Sequence, residues 1–135
     1  MPPKDVVFSE EARGKLRKGV ETIASVVGST LGPKGRNVMI AKYSTPDVSN
    51  DGQTIAKQFE SLEDIHEDVG MRILKEAAVK TGDKVGDGTT SSVVLAQAIV
   101  HAALKSVAAG ANPMFLKRGA DLAVAAAVKK MRDIS

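Results

Sequence analysis

Residues 84–99 read "KVGDGTTSSVVLAQAI". Two glycines, Gly86 and Gly88, bracket Asp87, and four hydroxyls follow from Thr89 to Ser92 before a long apolar run. The glycines mark a turn, and the run predicts a helix over 89–109. Val93, Val94, Leu95, Ile99, Val100 and Leu104 cover almost every face of that helix, which predicts a position in the middle of a helical bundle. Its start has a second meaning. The first-turn amides of a helix lack intrahelical acceptors and carry the positive end of the dipole, so they favour an anion. Gly86 and Gly88 let backbone come close to a phosphate, and Thr89, Thr90 and Ser91 add hydroxyl donors. Asp87 would repel a bare phosphate, which argues for a bridging Mg2+. The plain alternative is that Asp87 or Thr89 only caps the helix, and this stretch taken alone leaves both readings open.

Outward from this turn the chain reads as mainly α. Downstream, Gly110 closes the helix, and Asn112-Pro113 starts another with a capping side chain and proline at its first position. Leu116, Ala120, Ala123, Ala127 and Met131 fall on one face of that last helix. Upstream, Ser61 opens a helix with Asp64 as its capping-box partner, Leu62, Ile65, Val69, Ile73 and Ala77 as its buried stripe, and Gly82 as its stop. Further back, "NVMIAKY" and the residues around Val48 predict a small β-hairpin, followed by a short helix at about 53–59. Leu16, Val20, Ile23 and Val27 give a first helix that Gly28 ends, with Glu10 and Glu11 favourably placed at its start. "KDVVF" at 4–8 is a short strand candidate. The fold class is therefore a helical bundle with a small hairpin, with no linker dividing it.

Composition agrees with this and excludes much else. A length of 135 residues with 43% apolar side chains supports a compact core, and 3% aromatics favours helix over sheet. The net charge of +3 is scattered among acids with no aromatic interleaving, so no nucleic-acid partner is expected. Without cysteine there is neither a disulfide framework nor a thiolate metal site. The start "MPPKDVVF" has no apolar signal core and no Arg-rich leader, and no membrane-spanning run of apolar residues is recognised. A cytoplasmic protein with no membrane partner is the expectation, bacterial rather than organellar.

Two further turns share the chemistry of the first. "TLGPKGR" at 30–36 has Gly32 and Gly35 for tight backbone with Lys34 and Arg36 as cations; its plain reading is a helix-ending turn. No G-x-x-x-x-G-K-[ST] exists, so a P-loop is excluded. "DVSNDGQT" at 47–54 imitates the start of an EF-hand, but position 12 falls on Gln58 where a bidentate Glu is needed, so calcium is rejected. Asp51 is either a turn-former beside Gly52 or a carboxylate that activates water.

In combination and order, "TLGPKGRNV", "NDGQTIAK", "VGDGTTSSVVLAQAI" and "AAGANPMFLKRGADLAV" closely resemble the group I chaperonins, the large-ring, ATP-driven protein-folding machines of bacteria and organelles. The resemblance runs the length of the chain and implies the N-terminal half of the equatorial ATPase domain. It implies ATP and Mg2+ as cofactors. Thr30, Leu31, Gly32 and Pro33 would approach the nucleotide, Asp87 would bind magnesium, and Gly88, Thr89, Thr90 and Ser91 would hold phosphates. Asp51 would position the attacking water, and the backbones of Thr30 and Asn50 would serve a monovalent cation, K+. The implied partners are other subunits of a homo-oligomeric double ring, with unfolded polypeptides and a co-chaperonin acting through domains beyond this stretch. Two departures stand out: Asn50 replaces the usual Lys before "DG", and Ser91 replaces a usual Thr with its hydroxyl kept. Family members run several times longer, and the resemblance implies that a second catalytic aspartate and the rest of the pocket would lie beyond residue 135. The chain is thus expected to be an N-terminal piece that binds ATP weakly at best alone. The alternative is a non-catalytic helical module that self-associates.

Overall fold

The computed structural model describes residues 9–41 and 45–135. The strand candidate at 4–8 and the far end of the first hairpin strand lie outside the described residues. Among the described residues five helices and one hairpin follow in order: α1 (Ser9–Gly28), β1 (Val38–Ile40), β2 (Asp47–Ser49), α2 (Gly52–Gln58), α3 (Ile65–Val85), α4 (Thr89–Ala108) and α5 (Pro113–Ile134). The strands pair antiparallel with Met39 opposite Val48. The chain resolves into two compact units, Met1–His101 and Ala102–Ser135, whose boundary falls inside α4 rather than at a linker.

In the first unit α1 and α3 form the frame. Val20, Ile23 and Val27 from α1 meet Met71, Leu74 and Ala78 from α3, and Ile55 and Ala56 of α2 and Val93 of α4 complete the core. Two glycines select these faces. A Cβ on Gly19 would lie 1.8 Å from the Glu67 carbonyl oxygen, and one on Gly70 would lie 2.2 Å from that of Leu16. The helices therefore touch backbone to backbone, closer than side chains would allow. Lys15 to Asp64 and Lys18 to Glu67, each at 2.7 Å, flank the crossing.

This crossing corrects the reading of α3. Its buried residues are Asp68, Gly70, Met71, Leu74 and Ala78, whereas Ile65, Val69 and Ile73 are exposed. Both apolar sets fit a helical period; the glycine contact decides between them. Buried Asp68 is satisfied, accepting from the Leu62 amide (2.9 Å) and from Arg72 Nε (2.5 Å). Asp64 is the N-cap itself, not a capping-box partner, and accepts from the amides of His66 and Glu67. The Lys15 ammonium, aided by those amides and opposed by partial burial, pulls its carboxyl down to about 2. Gly82 does not end the helix. It lies under Gln53 of α2, and the stop is Gly86, left-handed at φ +75.

The central position expected for α4 is also corrected. Only Thr89 and Val93 are buried, Ala96 and Val100 lean on the core, and Leu95 and Ile99 are 63% and 56% exposed. By length and mean hydropathy (1.4), α4 is long and apolar enough to cross a membrane, although Gln97, His101 and Lys105 interrupt its apolar residues and a core helix can have the same composition. Replacing Leu95 or Ile99 by Ala in this chain should therefore cost under about 1 kcal/mol, whereas Leu74→Ala should cost about 2–5 kcal/mol. Urea denaturation of the three variants checks this; an equal loss at Leu95 and Leu74 would place both in the core.

In the second unit, α4 ends in a Schellman turn around Gly110 (φ +95), with the Ala111 amide bonded to the Ser106 carbonyl. Asn112 caps α5 by accepting from the Met114 amide at 2.9 Å, with Pro113 at its first position, as the sequence predicts. No residue of α5 is buried. Of the face expected to pack, only Leu116 is partly covered, and Met131 is 56% exposed.

Candidate functional site

The N-termini of α2 and α4 come together in the first unit. Gly52 makes this possible: a Cβ there would stand 2.4 Å from Thr90 Oγ1 and 3.1 Å from the Thr90 amide. Thr90 Oγ1 also lies 3.4 Å from Thr30 Oγ1, which brings in the end of α1. Three turns far apart in sequence thus meet around a cleft of about 380 Å³, lined by Leu31, Asn50, Asp51, Gly52, Gly86, Asp87, Gly88, Thr89, Thr90 and Ser91.

The start of α4 faces this cleft. Gly88 accepts from the Ser92 amide at 2.9 Å, which makes it the cap residue, and a glycine has no side chain to satisfy first-turn amides. Helices α2, α3 and α5 each carry an Asp or Asn in the equivalent place, with its side chain accepting from a first-turn amide. Gly86 and Gly88 both have φ near +75 (75 and 73), a conformation that costs a side-chain-bearing residue energy. Between them Asp87 is exposed, and its Oδ1 accepts from the Gly88 amide at 2.7 Å, which fixes the carboxylate at the lip.

Asp51 is the cap of α2. Its Oδ2 accepts from the Thr54 hydroxyl at 2.5 Å and the Thr54 amide at 2.8 Å, and its own amide donates to Ser49 Oγ at 3.1 Å. The Thr54 hydroxyl first, then the Thr54 amide, hold its carboxyl below the usual carboxylate range, with weaker help from Gln53 and Lys57 against slight burial. Such a carboxylate stays ionised near neutrality. It is a weak proton-taking base and a good acceptor for orienting a water molecule.

Of the site residues expected from the sequence, Leu31, Asn50, Asp51, Asp87, Gly88, Thr89, Thr90 and Ser91 line the cleft. Thr30 reaches it through Thr90, with its hydroxyl donating to the Val27 carbonyl at 2.8 Å. Gly32 (φ +82) and Pro33 form the exposed turn behind Leu31 and are not among the lining residues; nor are Lys34 and Arg36. The contact at Gly52 and the pairing of Thr54 with Asp51 go beyond the sequence expectations. An acid followed three residues later by a hydroxyl at a helix start is a capping pattern, and it was the available signal for Thr54. Among the described residues no three of His, Asp and Glu gather as a metal cage. One carboxylate beside a helix start whose cap has no side chain suits magnesium, which keeps several waters and takes phosphate oxygens as ligands.

Residues 23–135 match the model of the TCP-1/cpn60 chaperonin family. The fold is similar to that of the chaperonin gp146 of bacteriophage EL 2 (Pseudomonas aeruginosa), crystallised in the presence of ATP-BeFx. One crystal form aligns with TM-score 0.65 and 29% identity over 74% of this chain, and the other with 0.64 and 32% over 70%. The chain belongs to the TCP-1/cpn60 chaperonin family, and its mainly helical fold with a small hairpin resembles a chaperonin equatorial domain. It spans 18% of the length of that gp146 chain.

Proposed function

We propose that this chain is the phosphate-handling part of a group I chaperonin ATPase. The supporting observation is the α4 N-terminus, whose cap Gly88 has no side chain, with Asp87 at its lip and Asp51 on the same cleft. The amides of Thr89, Thr90 and Ser91, with the two threonine hydroxyls and the serine hydroxyl, bind phosphate oxygens. Asp87 ligates Mg2+, which when bound neutralises charge on the phosphates; the backbones of Thr30 and Asn50 serve K+. Asp51 orients water for attack. Residues 1–135 supply the N-terminal half of an equatorial domain in a cytoplasmic homo-oligomeric ring that folds polypeptides with a co-chaperonin, without nucleic-acid or membrane partners. The gp146 crystals in the presence of ATP-BeFx support a nucleotide site in this fold.

A second reading, a self-associating module without turnover, is favoured by one observation. Phe115, Leu122 and Met131 of α5 are exposed in the second unit. Asp51→Ala in a full-length subunit carrying this sequence separates the two. An ATPase should keep ATP affinity within about threefold and lose about tenfold or more in kcat, as for a group acting in the transition state. Lost affinity with unchanged kcat would remove the water-orienting role, and no turnover in the parent would leave the module reading.

A further inference from the structure

The cap on α2 contains one bond more than a cap needs. Any residue but proline at position 54 would donate its amide to Asp51, but only Ser or Thr adds a hydroxyl on Cβ, close enough to the backbone to reach the same carboxylate. Here both donors of Thr54 converge on Oδ2 of Asp51, at 2.8 Å and 2.5 Å. Turning the carboxylate to exchange its two oxygens would break two bonds at once. Thr54 itself is rigidly placed, because its neighbours Ile55 (1% exposed) and Ala56 (0%) are anchored in the core. The Ile55 amide bonds back to the Asp51 carbonyl at 3.0 Å, and Gly52 is pressed against Thr90. Thr54 is not among the residues lining the cleft, so whatever it does there passes through Asp51.

We propose that Thr54 is a positioning residue of the nucleotide site: its hydroxyl occupies Oδ2 of Asp51 and sets the angle at which Oδ1 is presented to the attacking water. The inference rests on the reading of Asp51 as the water-orienting group. The geometry requires a hydroxyl on a branched or short side chain at 54, which both Thr and Ser supply and Val does not.

The test uses a full-length subunit bearing Thr54→Val, Thr54→Ser, Asp51→Asn and the double change Asp51→Asn with Thr54→Val. Thr54→Val should lower kcat about tenfold with the KM for ATP within about twofold, as expected for loss of one hydrogen bond to a charged group. Thr54→Ser should restore kcat to within about threefold. The double variant should be no slower than Asp51→Asn alone, because the hydroxyl then has no carboxylate to orient. A nucleotide-free crystal structure of Thr54→Val should show the Asp51 carboxylate turned or split between two conformers. Should Thr54→Val not fold, Thr54→Ala, which adds no methyl in place of the hydroxyl, is read in the same way. A parental kcat in Thr54→Val while Asp51→Asn is slow would overturn the proposal, as would a further loss in the double variant or an unmoved Asp51 carboxylate. A parental kcat in Asp51→Asn would instead overturn the water-orienting role of Asp51, and the proposal with it.

Discussion

Asp87→Asn, in a full-length subunit carrying this sequence, should lose magnesium-dependent ATP turnover by about a hundredfold or more. A neutral amide is a much poorer ligand for a hard cation than a carboxylate. Several kcal/mol of charge stabilisation pass through such a metal, and each 1.4 kcal/mol or so is tenfold in rate. The substitution is close to isosteric, and an amide oxygen can still accept from the Gly88 amide, which Asp87 Oδ1 meets at 2.7 Å. The turn should therefore survive, and the melting temperature should stay within a few degrees of the parent while turnover falls. Turnover at the parental rate would take Asp87 out of the site.

The largest stability effect is expected at a residue with no side chain. Gly19→Ala places a methyl 1.8 Å from the Glu67 carbonyl oxygen and 2.7 Å from its carbon. Both atoms are backbone, so no rotamer change relieves the clash and α1 must move from α3. Overpacking of this kind costs about 3 kcal/mol or more where relaxation is blocked. Gly14 is the control on the same helix, since a Cβ there meets nothing within 4 Å. Gly14→Ala should stabilise by about 0.5–1 kcal/mol through helix propensity alone. Urea midpoints with comparable slopes measure the difference. If the two variants shifted stability the same way, the helices would not be in backbone contact.

That glycine contact also explains where the sequence misleads. In α3 the sets Ile65, Val69, Ile73 and Met71, Leu74, Ala78 both repeat at helical spacing, and hydrophobicity alone does not rank them. The choice depends on a tertiary close approach at Gly19 and Gly70, which in sequence look like two weak helix positions. The burial of α4 departs from its apolar pattern for a related reason: an apolar surface states what could be buried, and Leu95 and Ile99 find no cover among the described residues. Local chemistry was legible where it is local. Asn112-Pro113 starts α5 because capping depends on adjacent residues, whereas the cap of α4 is Gly88 and neither Asp87 nor Thr89, the two candidates in the sequence. The cleft was legible as three separate turns. What the sequence did not show was that Gly52 presses on Thr90, or that Thr54 holds Asp51, since each depends on how α2 and α4 meet.

The most direct measurement is a calorimetric titration of ATP into a full-length subunit carrying this sequence, with and without magnesium, for the parent and for Asp87→Asn. Binding that strengthens on adding magnesium in the parent, with most of that gain lost in Asp87→Asn, is the predicted result. ATP binding of equal strength with and without magnesium, unchanged by the substitution, would contradict a phosphate and magnesium site at the start of α4.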